Sequence, residues 1–139
     1  MFTKRCFSLL TFFVVLIGSI FLTACGAGGN EPVTTIDVDM TDYKFTPEEF
    51  TVPAGAEINI NLKNSGKQPH EFRILVLGAK AEESIDKNGK STRYWSNVAL
   101  SGESKSFSFA APSEPGNYVI VCSAPGHTKA GMIGTLHVK

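Results

Sequence analysis

From Thr34 onward, apolar and polar side chains alternate along much of the chain. Ile36, Val38 and Met40 are separated by Asp37 and Asp39, and Ile58, Ile60 and Leu62 by Asn59 and Asn61. A period of two predicts strands that bury one face. Tyr43 to Phe45 and Phe50 to Val52 read as short extended pieces, the second closed by the turn residues Pro53-Ala54-Gly55. A polar loop, Asn64 to Pro69, delivers His70 to a strand in which Phe72, Ile74 and Val76 share its parity, so the imidazole is predicted to point inward. Residues 78 to 97 carry Glu82, Glu83, Asp86, Lys87, Lys90 and Arg93 and read as a long solvated connection with room for one helical turn, ended by Tyr94 and Trp95 as core or edge packing. Val98 to Leu100 is a short strand, Phe107 and Phe109 alternate with Ser106 and Ser108 in the next, and Pro112 to Gly116 is a turn. Tyr118, Ile120 and Cys122 then share one face of a strand over 117 to 122. In the last strand, over 132 to 138, Met132, Leu136 and Val138 oppose Ile133, Thr135 and His137. Seven or eight short strands with turn signals between them, no internal repeat and no long helical pattern predict an all-β sandwich or small barrel.

The first 33 residues follow a different pattern. Lys4 and Arg5 precede an apolar run from Phe7 to Phe21, as in a secretory signal. The run ends in Leu22-Thr23-Ala24-Cys25, which resembles the lipobox of bacterial lipoproteins. This divides the chain into a lipoprotein signal peptide over 1–24, a flexible, Gly-rich, lipid-anchored tether over 25–33 and a folded domain over 34–139, with Cys25 as the lipidated residue. An uncleaved membrane anchor and plain secretion are the alternatives, and all three place the domain outside the cytoplasm, on the periplasmic side or outer surface of the cell membrane.

At 139 residues, 42% hydrophobic and 19% charged, the chain needs no second folded domain. The net charge is zero, and losing Lys4 and Arg5 with the leader leaves 11 basic against 13 acidic residues. No basic stripe is present to hold nucleic acid. Cys6 leaves with the signal and Cys25 carries lipid, so Cys122 is the lone thiol of the domain and no internal disulfide is available. A lone thiol in an oxidising compartment calls for burial or a metal.

Cys122, His127 and Met132 stand at i, i+5 and i+10 in a loop punctuated by Pro125, Gly126 and Gly131. Thiol, imidazole and thioether on one tight loop are a metal-ligand spacing, and His₂Cys with a weak axial Met is the donor set of blue copper sites. His70 is the candidate second imidazole. If the strand ending at Cys122 runs antiparallel to those beginning at His70 and Met132, all the donors meet at one pole. His137, of outward parity, is expected on the surface, and Met40 in the core.

The domain resembles the cupredoxins, the blue copper family of plastocyanin, azurin and auracyanin, over roughly 34–139. The segments 64–72 and 122–138 carry the likeness, and the Cys-x₄-His-x₄-Met spacing is most like auracyanin-type loops. The resemblance implies a Greek-key β-sandwich and one type 1 copper per chain, with His70, Cys122 and His127 equatorial and Met132 axial. It implies a monomeric one-electron carrier, not an enzyme, that meets redox protein partners near an accessible His127 while lipid on Cys25 holds it to the membrane. One departure stands out: the family commonly has Asn after the first His, and this chain has Glu71, which leaves open what holds the loop. Copper delivery or storage is the alternative function. A CuA centre would need a second Cys in the loop, Met disfavours zinc, and three His in all cannot build the further copper centre of an oxidase.

Overall fold

The computed structural model describes residues 31–84 and 92–139. The leader, Cys25 and most of the tether lie outside the described residues. Within them the chain forms nine strands: β1 (Thr35–Thr41), β2 (Lys44–Thr46), β3 (Glu49–Val52), β4 (Glu57–Asn64), β5 (His70–Leu75), β6 (Arg93–Ala99), β7 (Ser104–Ala110), β8 (Gly116–Val121) and β9 (Ile133–Val138). They pair into a four-stranded sheet, β2-β1-β4-β7, and a five-stranded sheet, β3-β9-β8-β5-β6. The β1–β4 and β3–β9 pairs are parallel and the others antiparallel. The chain crosses repeatedly between the sheets, giving the expected Greek-key sandwich.

The alternation read from the sequence becomes the inner faces of the two sheets. Ile36, Val38, Met40, Ile58, Ile60 and Leu62 line one, and Phe72, Ile74, Ile120, Leu136 and Val138 the other, in one buried cluster. Phe72 of the five-stranded sheet meets Phe45 of the four-stranded sheet edge-on at 5.4 Å, and Phe50 at 5.9 Å. T-shaped pairs of this kind contribute beyond their buried area. Trp95 on edge strand β6 stacks on Phe109 of edge strand β7 at 4.7 Å and touches Phe107 at 6.2 Å, closing that side of the sandwich. Met40 is buried, and His137 lies at the surface against Asn117, as expected.

Three expectations need correction. The count rises to nine because the two short pieces around Pro47 are strands of different sheets. The 78–97 connection is shorter than its composition suggested, since β6 already begins at Arg93. An edge strand with Tyr94 and Val98 outward and exposed shows no clean apolar alternation, which hid it. The connection also does more than meet solvent, for its 3₁₀ turn, Ala81–Ser84, lies against β8. Finally, inward parity does not reach Val76: the β5–β6 register shifts between Ile74 and Leu75, the strand ends there, and Leu75 is fully buried while Val76 is 40% exposed.

Phe72→Ala removes a fully buried ring that links the two sheets, and it is expected to cost about 3–5 kcal/mol. Denaturant unfolding of the purified protein measures the loss.

Candidate metal centre

Strand direction brings the donors together. β8 runs antiparallel to both β5 and β9, so the first residue of β5, the residue after β8 and the residue before β9 lie at one pole. These are His70, Cys122 and Met132, and all are buried. Cys122 Sγ stands 3.4 Å from His127 Nδ1 and 3.8 Å from His70 Nδ1, and the two Nδ1 atoms are 3.2 Å apart. Metal–nitrogen bonds near 2.0 Å and metal–sulfur bonds near 2.3 Å would set such donors roughly 3.2–3.8 Å from one another. The three atoms therefore fit around one ion. Met132 belongs to the same apolar cluster as Cys122.

The loop that carries Cys122 and His127 is tied to itself. Cys122 N–H donates to Met132 O at 3.2 Å, Met132 N–H to His127 O at 3.0 Å, and Thr128 Oγ1 to Cys122 O at 2.8 Å. Gly126 and Gly131 have φ of +86° and +96°, the left-handed region that a side chain disfavours. The loop around His70 is pinned by Asn64, which is buried and not part of a solvated loop: it donates to Gln68 O and Ala99 O at 2.8 and 2.9 Å and accepts from Gly66 N–H at 2.9 Å. Its parity, continuing Ile58, Ile60 and Leu62, was the signal that could have found it.

Residues 11–134 match the family described as cupredoxin-like domain. This chain belongs to the cupredoxin family. It is 48% identical over 127 residues to auracyanin-B of Chloroflexus aurantiacus, an alignment covering 77% of this chain and 53% of that protein. The chain thus spans about half the length of that relative. Plastocyanin of Dryopteris crassirhizoma is 32% identical over 101 residues, covering 73% of this chain and 93% of that one. Among solved structures, dithionite-reduced auracyanin of Roseiflexus castenholzii superposes with a TM-score of 0.69 at 26% identity, over 78% of this chain and 99% of that one. Auracyanin A of Chloroflexus aurantiacus, described as a "blue" copper protein, gives 0.64 at 27%, over 78% and 100%.

In this cupredoxin Glu71 holds the loop. Its backbone N–H points at Cys122 Sγ at 3.4 Å, and its carboxylate accepts from the Ser123 hydroxyl and pairs with Arg73 at 3.0 Å. Burial alone pushes the Glu71 carboxyl up, but hydrogen bonds from Ser123 and Ser96 and the Arg73 charge outweigh it and hold the group below the usual value. One outward side chain on β5 thereby ties the residue after Cys122 to the five-stranded sheet. Burial also pushes the Cys122 thiol up, and the Glu71 and Ala124 N–H groups only partly offset it. With no metal bound, the sulfur keeps its proton at neutral pH.

His127 departs from the expectation. It was expected near the surface, yet it is only 3% exposed. Tyr43, from the turn between β1 and β2, lies edge-on against its ring at 5.1 Å. Burial, with the second imidazole of His70 close by, holds the His127 imidazole below its usual value, so at neutral pH it is a free donor. Tyr43 has φ of +70°, a left-handed conformation that costs a bulky residue about 1–2 kcal/mol. Nothing local in the sequence signals the contact, because Tyr43 and His127 meet only when the sheets close.

Glu71→Ala removes the acceptor of the Ser123 hydroxyl and one partner of Arg73, and it is expected to destabilise the metal-free protein by about 1–3 kcal/mol at neutral pH. A depressed carboxyl contributes stability that is present above its unfolded pKa and is lost as pH falls through the folded value. The gap between wild type and variant, followed by denaturant unfolding, should therefore close as the solution is acidified below the ordinary carboxylate range.

Proposed function

We propose that this cupredoxin binds one type 1 copper through His70 Nδ1, Cys122 Sγ and His127 Nδ1, with Met132 as the weak axial donor, and carries single electrons outside the cytoplasm. The observation that carries the reading is the convergence of one thiol and two imidazoles, all buried, within bonding distance of a common ion. The relatives, auracyanin and plastocyanin, are electron carriers rather than enzymes, and no catalytic role is assigned.

Copper at this pole would supply a one-electron couple, since sulfur donors suit Cu(I) and imidazoles suit both states. The chain's part is to present the donors and keep them still. Cys122 gives up its proton on binding, and the Glu71 and Ala124 N–H groups then face a thiolate. The cross-tied loop and the strand ends would limit how far the donors move when the bound metal changes charge. Around the pole, Pro125, Gly126, Ala130, Gly131 and Ile133 are exposed and uncharged, a surface on which a redox partner could dock over the small interface typical of short-lived electron-transfer encounters. We further propose that residues 1–24 are removed, that Cys25 is lipidated, and that 25–33 tethers a monomeric domain to the membrane. No helix among the described residues is long and apolar enough to cross one.

Visible and EPR spectra after addition of Cu(II) test the metal reading. An intense thiolate-to-copper band that ascorbate bleaches and oxidant restores is expected, and it should be absent from Cys122→Ser. A colourless protein that takes up only Cu(I) and passes it to an acceptor would establish copper delivery instead. For the anchor, Cys25→Ser in a lipoprotein-processing bacterium is expected to move the protein from the membrane to the soluble envelope fraction. Retention of the variant in the membrane would point to an uncleaved apolar leader.

A further inference from the structure

The turn between β1 and β2 touches both imidazoles from outside the donor cluster. Asp42 Oδ1 lies 3.2 Å from His70 Nε2, on the side of the ring away from Cys122. Its next neighbour, Tyr43, covers His127. The same Asp42 oxygen accepts the Lys67 N–H at 3.0 Å, so it already stands as an acceptor facing this loop. A carboxylate oxygen that accepts one N–H keeps a lone pair for a second donor. The proton between Asp42 and His70 therefore sits on Nε2, and Nδ1 is left with its lone pair facing Cys122 and His127.

Gly66 supplies a third, independent observation. A Cβ built on it would stand 2.6 Å from Asp42 Oδ1 and 2.7 Å from His70 Nε2. No left-handed backbone requires a glycine there, so the demand is for space over this hydrogen bond. Beside it, Tyr43 keeps a bulky side chain at φ +70°, where glycine would fit without strain. Backbone strain of this kind persists where the surroundings over-determine it, often at functional sites.

We propose that Asp42 and Tyr43 are positioning residues for the metal centre: Asp42, with Gly66 packed over its bond, fixes the His70 tautomer that offers Nδ1, and Tyr43 seals the outer face of His127 from water. A carboxylate behind a ligating imidazole sets ring orientation and strengthens the donor. Tyr43, 45% exposed, is then part of the surface that a redox partner meets over His127. The inference rests on the copper reading for its purpose but not for its test, which uses the metal-free protein.

Long-range ¹H–¹⁵N NMR of the metal-free full-length protein, above the pH at which imidazoles ionise, reads the His70 tautomer directly. Wild type and Asp42→Asn, whose amide oxygen still accepts, are expected to hold the Nε2–H form. Asp42→Ala and Gly66→Ala should lose that preference and show a mixture of tautomers. A pure Nε2–H form in both of these variants would overturn the role of Asp42. For Tyr43, modification by diethyl pyrocarbonate with peptide mapping reads access to His127. Tyr43→Gly is expected to raise His127 labelling about tenfold, as for a ring opened by local loss of its cover, with no fall in the unfolding midpoint. Tyr43→Phe should label like wild type. His127 equally unreactive in Tyr43→Gly, or a variant that labels only because it unfolds, would overturn the seal. If both roles hold and no blue band forms with Cu(II), the copper reading fails alone.

Discussion

Two imidazoles and a thiol can share a small apolar space only if every polar atom not aimed at a metal has another partner. The pole of this cupredoxin is built around that requirement. His70 Nε2 is taken by Asp42, the backbone of the Cys122 loop by Met132, His127 and Thr128, and the chain leading into His70 by Asn64. Facing one another at the centre are the three donor atoms, 3.2 to 3.8 Å apart. An unpaired buried polar atom costs far more than an ordinary hydrogen bond contributes, so the same partners that satisfy these groups also decide where the donors point.

That arrangement depends in turn on the sandwich. His70 and Cys122 are 52 residues apart and meet because β8 runs antiparallel to β5 with its ends in register. The ring contacts of Phe72 with Phe45, and of Trp95 with Phe109, hold the sheets at the separation that lets β1 and β2 deliver their turn to His70 and His127. Closely packed interiors transmit displacement. Packing in the middle of the sandwich and geometry at its pole are therefore one problem.

The two sides of the centre are held by different chemistry. On the sulfur side, Glu71 combines a backbone N–H aimed at Cys122 with a carboxylate shared by Ser123 and Arg73. Where the family commonly has Asn, this chain uses a charge, and a charge brings its own compensating cation. On the histidine side, a two-residue turn does the work with one carboxylate and one aromatic ring. A metal held at a site gripped in this way would change oxidation state with little movement of its ligands, as the proposed electron carriage requires.

Much of this was legible in the residues. Alternation at Ile36 to Met40 and Ile58 to Leu62 marked the strands, because a side chain on a strand can face only one way at a time. The thiol, imidazole and thioether at intervals of five, with glycines where the backbone must turn left-handed, marked the loop, because that chemistry is local. His70 was found by parity, and Asn64 could have been. Edge strand β6 was missed because a half-exposed strand carries little pattern. The cover of His127 by Tyr43, the Asp42 carboxylate behind His70 and the close packing over Gly66 had no sequence signature at all. Those contacts join residues from different sheets and separate loops, and their distances exist only once the sandwich has closed.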